Sequence, residues 1–113
     1  MREVAGVGRH APILLWTWSI VQVMDGRQLL VTALLSLRTP EDCAALLQDL
    51  LTPREIGALE QRVAVASALL GGATYEQAKA ATGASAATIS RVRRALFQGH
   101  GGYRRALGGR LEP

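Results

Sequence analysis

Apolar positions along this chain recur at spacings of three and four, the period of an amphipathic α-helix. Ile56, Leu59, Val63, Ala66 and Leu70 form one stripe, Leu29, Leu30, Ala33 and Leu34 a second, and Ile89, Val92 and Leu96 a third. Helix-starting chemistry stands just ahead of four helical runs. Thr39-Pro40-Glu41-Asp42 opens Cys43–Leu51, Thr52-Pro53-Arg54-Glu55 opens the run through Leu70, Thr74-Tyr75-Glu76-Gln77 opens a third, and Ser85 precedes Ala86. In each the hydroxyl can accept an orphan backbone N–H, and Pro suits the first helical position. Gly71-Gly72 and Gly83 supply the stops. The pattern predicts an all-α chain with five core helices at about 26–37, 40–50, 53–70, 75–82 and 86–97.

The two ends depart from this pattern. Gln98-Gly99-His100-Gly101-Gly102 reads as a hinge, 103–107 as one further helical turn, and 108–113 as a flexible tail. In residues 1–23, Trp16, Trp18 and Ile20 alternate with Thr17, Ser19 and Val21, a strand-like period of two with nothing to pair with in a helical domain. Arg2 and Arg9 before Ala11–Leu15 look like a signal peptide, yet no small-x-small cleavage site follows. The segment is expected to be an N-terminal extension, disordered or upstream of a start at Met24. The alternatives are a signal sequence or a segment that pairs across a dimer and buries Trp16 and Trp18. The domain is placed at 24–107.

Charge sharpens the picture. The net charge is +4 over 113 residues, but residues 1–85 carry seven basic and eight acidic groups, while 86–113 carry six arginines and only Glu112. A positive charge confined to the last quarter points to a polyanionic partner, most often nucleic acid, against the plainer reading of a solvated basic tail. With a single cysteine, Cys43, the chain has no internal disulfide framework and no Cys-based zinc site. His10 and His100 are too far apart for a local metal motif. The longest uncharged apolar stretch, Ala11 to Met24, is 14 residues, short of the ~20 that span a bilayer. An enzyme with its own substrate domain does not fit this length. Cys43 reads as a small core residue and His100 as structural or solvent-facing, so no catalytic group is assigned.

The richest stretch is Thr74 to Leu96, a short capped helix, a Gly83-Ala84-Ser85 turn and a second capped helix, the layout of a helix-turn-helix at 74–96. In the second helix Ile89, Val92 and Leu96 should point inward, and Ala87, Ser90, Arg91 and Arg94 outward, with Ala86 and Thr88 in front. Small residues let a helix enter the major groove deeply, Ala87 or a Thr methyl can touch a thymine methyl, and arginines fork onto guanine or phosphate. The expected DNA-contacting set is Thr74, Lys79, Ser85, Ala86, Ala87, Thr88, Ser90, Arg91, Arg93 and Arg94. Lys79 departs from the usual pattern, which has a small residue four positions before the turn glycine, where the helices pack closely. Its alkyl stem is expected to cover that contact while its ammonium reaches a phosphate.

Leu50–Leu96 resembles the Trp-repressor superfamily. The resemblance rests on Leu51-Thr52-Pro53, Arg62, and the run Gly83-Ala84-Ser85-Ala86-Ala87-Thr88-Ile89-Ser90-Arg91. Ser36-Leu37-Arg38-Thr39-Pro40-Glu41-Asp42-Cys43 and Gly102-Tyr103 look closer to its YerC/YecD-like branch. It covers about Gln28 to Leu107. It implies an intertwined, all-helical homodimer acting as a bacterial, cytoplasmic transcriptional repressor. The dimer agrees with a physical point: wide apolar helix faces on so short a chain cannot all be hidden within one subunit. The resemblance also places Thr52, Arg62, Thr88 and Arg91 at the positions of a possible effector pocket. L-tryptophan is not expected there, because the glycine of the tryptophan-binding repressor is Val92 here and two small polar positions are Arg94 and Ala95. The expected function is therefore sequence-specific binding of double-stranded DNA, with no cofactor, no metal and no membrane partner, and with any small-molecule effector unknown. The competing expectation is a protein-interaction module of the transcription machinery with little DNA selectivity of its own.

Overall fold

Capping side chains decide where the helices of this chain begin. The computed structural model describes residues 22–108, and its contacts divide the chain between Leu50 and Leu51 into two units. The described residues are helical and contain no strand.

In the first unit, α1 spans Gly26–Leu35. Asp25 Oδ1 accepts the Gln28 N–H at 2.8 Å, and Gln28 Oε1 accepts the Asp25 N–H at 2.9 Å, a reciprocal capping box that the sequence reading did not single out. The helix ends before the expected 37, where Ser36 closes the last turn and its hydroxyl donates to the Ala33 carbonyl at 2.7 Å. Helix α2 spans Pro40–Leu50, and Thr39 Oγ1 accepts the Asp42 N–H at 3.1 Å. Glu41 and Asp42 lie at the positive end of its dipole. No residue of α1 or α2 is buried. Cys43, expected in a core, is exposed.

The second unit holds α3 (Pro53–Leu70), α4 (Tyr75–Thr82), α5 (Ala86–Gln98) and a closing π-helical turn (Arg104–Gly108). Thr52 starts α3 with a capping box to Glu55, at 3.1 and 2.9 Å. A Schellman motif ends it: the Gly72 N–H donates to Leu69 and the Ala73 N–H to Ala68. Gly72, at φ 97°, takes the left-handed conformation there, while Gly71 at φ −80° does not.

Helix α3 packs against α4, α5 and the closing turn. The core is Val65, Ala66, Ala84, Ile89, Val92 and Leu96, flanked by Leu69, Leu70, Tyr75, Tyr103 and Leu107. The third stripe read from the sequence thus lies wholly inside, whereas the α3 stripe reaches the core only through Ala66 and Leu70. Leu59 and Val63 are exposed, and Val65, outside that stripe, is fully buried. Helix α3 is apolar on more than one side, so periodicity alone could not say which side meets α4 and α5.

The expected hinge is instead a folded connection. Gly99 caps α5 through its N–H to the Ala95 carbonyl at 3.0 Å, and the Arg105 N–H donates to Gly101 at 3.0 Å. Tyr103 and Leu107 then pack on the core. The extra turn expected at 103–107 forms, inside a helical stretch over 102–108 whose last five residues are π-helical. The N-terminal expectations for residues 1–21, Trp16 and Trp18 included, lie outside the described residues, as does the tail from 109 onward.

Candidate nucleic-acid interface

Two capped helices and a fixed turn set the orientation of α5. Thr74 Oγ1 accepts the Gln77 N–H at 3.1 Å, and Gln77 Oε1 accepts the Thr74 N–H at 2.9 Å, which starts α4. Gly83 stops α4 at φ 71°, a backbone region costly for a side chain with a Cβ, and its N–H donates to the Lys79 carbonyl at 2.9 Å. Ala84 then tucks into the core at 2% exposure. Ser85 Oγ accepts the Thr88 N–H at 3.2 Å and starts α5.

Thr82, unremarked in the sequence reading, fastens this elbow. Its hydroxyl donates to the Ala78 carbonyl at 2.7 Å and accepts the Ala84 N–H at 3.2 Å. Gln61 Nε2 of α3 donates to the Thr82 carbonyl at 3.4 Å, tying the turn to the long helix. A threonine directly before the stop glycine was the available signal, because a helix-ending hydroxyl can bond back to the i−4 carbonyl.

Helix α5 divides as its spacing requires. Ile89, Val92 and Leu96 are buried. Ala86, Ala87, Ser90, Arg91, Arg93 and Arg94 are exposed, and no acidic residue interrupts the helix. Thr88 is only half-buried surface, held by Ser85, whose hydroxyl also donates to Thr88 Oγ1 at 3.2 Å. On α4, Lys79 is exposed, and it is Ala78, fully buried, that supplies the small inward-facing residue. The expectation that the Lys79 stem covers a close helix contact is therefore corrected by one position. Thr74 and Ser85 are exposed while serving as caps.

A helix locked on one side and lined on the other with small residues and arginines matches what major-groove insertion needs. The family described as Trp repressor protein matches this chain over residues 25–110. The chain belongs to the Trp repressor family. That family is one of helix-turn-helix transcription regulators, not of enzymes. The uncharacterized protein YerC of Bacillus subtilis (strain 168) is 43% identical over 89 residues, which are 77% of this chain and 86% of that protein. A crystal structure of a candidate Trp repressor from Staphylococcus aureus is 36% identical, covers 83% of this chain and 95% of its own, and superposes with a TM-score of 0.71. These similarities place the chain with the YerC-like branch of the Trp repressor family.

The positions that family resemblance marks for an effector do not gather around a described cavity. Thr52 is exposed and committed to its capping box, Arg62 is half-buried, Thr88 is tied to Ser85, and Arg91 is exposed. Two cavities of the second unit, of about 290 and 490 Å³, are lined by none of the four. Val92 is a core residue at 1% exposure. Among the described residues no cluster of His, Cys, Asp and Glu is suited to a metal ion, and no helix is long and apolar enough to cross a membrane.

Sequence reasoning missed Arg104. It was read as lying beyond a flexible hinge, but its Nε donates to the Leu96 carbonyl at 3.2 Å, and its guanidinium sits 5.8 Å from the centre of the Phe97 ring. Contacts across eight residues of chain leave no local sequence signature.

Proposed function

We propose that this protein is a sequence-selective regulator of transcription, acting as a repressor, that binds double-stranded DNA in the cytoplasm as a homodimer. The observation that carries the reading is the division of α5: Ile89, Val92 and Leu96 hold one face in the core, while Ala87, Ser90, Arg91 and Arg94 lie exposed on the other. A solvated helix has no need of small residues at the front of its polar face, whereas a helix that enters a groove does. Ala86, Ala87 and Ser90 are assigned to base edges, and Arg93, Arg94 and Lys79 to phosphates. Arg91 is assigned to phosphate or to an effector, and the N-terminal caps Thr74 and Ser85 present backbone N–H groups suited to phosphate.

Dimerisation is supported by apolar side chains left exposed on the single chain, among them Leu30, Val31, Leu34 and Leu35 of α1. A two-fold dimer would set two copies of α5 about 34 Å apart and give a palindromic site. L-tryptophan is not the proposed corepressor, since Val92, Arg94 and Ala95 replace the small groups of the tryptophan-binding repressor.

Selection of bound duplexes from random DNA tests the reading. The expected result is one enriched palindrome, bound about 10³-fold or more tighter than random DNA, with affinity falling steeply as salt rises. Enrichment of nothing would contradict it and favour a protein-interaction module.

A further inference from the structure

The smaller cavity of the second unit, about 290 Å³, opens where the end of α3, the start of α4 and the end of α5 meet the closing turn. Its lining includes the apolar side chains of Leu69, Leu70 and Phe97 and two arginines, Arg93 and Arg104. The Arg104 guanidinium is held in place by its Nε bond to the Leu96 carbonyl and by the Phe97 ring. Nε is one of five N–H donors, so four remain, in the planar fork that fits a carboxylate. Among the described residues neither arginine has a carboxylate partner. Small-molecule sites combine apolar walls with a few polar groups that fix orientation; this cavity has both, with polar and apolar surface in nearly equal share, and lies at the small end of the size range.

We infer that this cavity is an effector site for amphipathic carboxylates, with the apolar body on Leu69, Leu70 and Phe97 and the anion held by Arg93 and Arg104, and that its occupation weakens DNA binding. The direction of the effect rests on the proposed function, in which Arg93 faces a phosphate. A bound anion neutralises that arginine, and Thr74, assigned to the same DNA-facing set, also lines the cavity. The site thus acts as an inducer site, opposite in sign to a corepressor, and shares no residue with Thr52, Arg62, Thr88 and Arg91.

The test uses the full-length protein, 3-phenylpropanoate as probe, and its neutral amide as control. Amide-resolved NMR titration should show the acid shifting residues around Leu70, Ala73 and Phe97, with apparent affinity near about 1 mM for so small a ligand. The amide should bind about tenfold more weakly or worse. Arg104→Gln should bring the acid down to the level of the amide, and Ala73→Leu, which fills the cavity, should abolish binding of both. Equal affinity for acid and amide, an unaffected Arg104→Gln variant, or shifts centred on Arg62 and Arg91 would each overturn the site. In a DNA-binding assay at matched ionic strength, saturating acid should lower affinity for the selected palindrome several-fold, and Arg104→Gln should remove that response. Unchanged or tighter DNA binding would overturn the inducer role. The NMR arm needs no DNA, so failure of the proposed function would show as absent DNA selection while the site is still judged on its own titration.

Discussion

The two units of this chain solve the burial problem differently. Leu51 onward builds a core in which Val65, Ala66 and Ile89 are fully shielded, and it does so around one turn of a helix-turn-helix. Residues 26–50 form two well-capped helices that bury no residue, and Leu35 is left 79% exposed. The capping chemistry is equally sound in both, so local propensity is not what separates them. Leaving a Leu or Val side chain in water forgoes about 1.5–3 kcal/mol relative to burying it. Helices with good caps and no core are helices whose packing partner lies elsewhere, and a second copy of the chain is the proposed one. In this proposal the second unit presents the DNA interface, and the first is assigned the task of pairing two of them.

That contrast can be broken at its weakest side first. Leu34→Asp on α1 would bring an uncompensated charge into the proposed dimer contact, at a cost of about 3–5 kcal/mol. Sedimentation at micromolar concentration should then show the 12.1 kDa monomer in place of the dimer. A wild-type protein that is itself monomeric under those conditions would remove the proposed role of the first unit.

The matching change in the second unit acts on folding. Ile89→Ala deletes a fully buried side chain and should lower unfolding stability by about 2–5 kcal/mol in denaturant titration. A loss under 1 kcal/mol would mean that the core described here does not hold α5.

The connection after α5 offers a smaller effect. A Cβ at Gly99 would lie 2.4 Å from the Ala95 carbonyl oxygen, so Gly99→Ala should cost about 1–3 kcal/mol through displacement of the closing turn. Thermal melts would read this, and an unshifted midpoint would show that the turn yields freely.

Cys43→Ala sets the lower bound. The side chain is exposed, and its loss should change stability by no more than about 0.5 kcal/mol and leave DNA binding intact.

Much of this was legible from the chain. Thr39, Thr52, Thr74 and Ser85 each cap the helix that they precede, because an N-cap is written within four residues. The faces of α5 were equally readable, since its apolar stripe is narrow and its other face is small or charged. What failed were judgements that need a partner surface. Leu59 and Val63 are as apolar as Val65, and only the placement of α4 and α5 decides which of them is covered. Cys43 was misplaced for the same reason. Arg104 and the cavity that it borders depend on a fold-back after Gly99 that glycine-rich sequence leaves undefined.

The central claim is that α5, and no other element, reads the DNA. Binding of Ala87 and Ser90 variants across every single-base variant of the selected palindrome tests it most directly. Changing either residue to another small or polar one should alter preference at one position per half-site by about 1–3 kcal/mol, whereas Arg104→Ala should leave the preference unchanged. Unaltered preference in the Ser90 variants, together with altered preference in Arg104→Ala, would show that a different element lies in the groove.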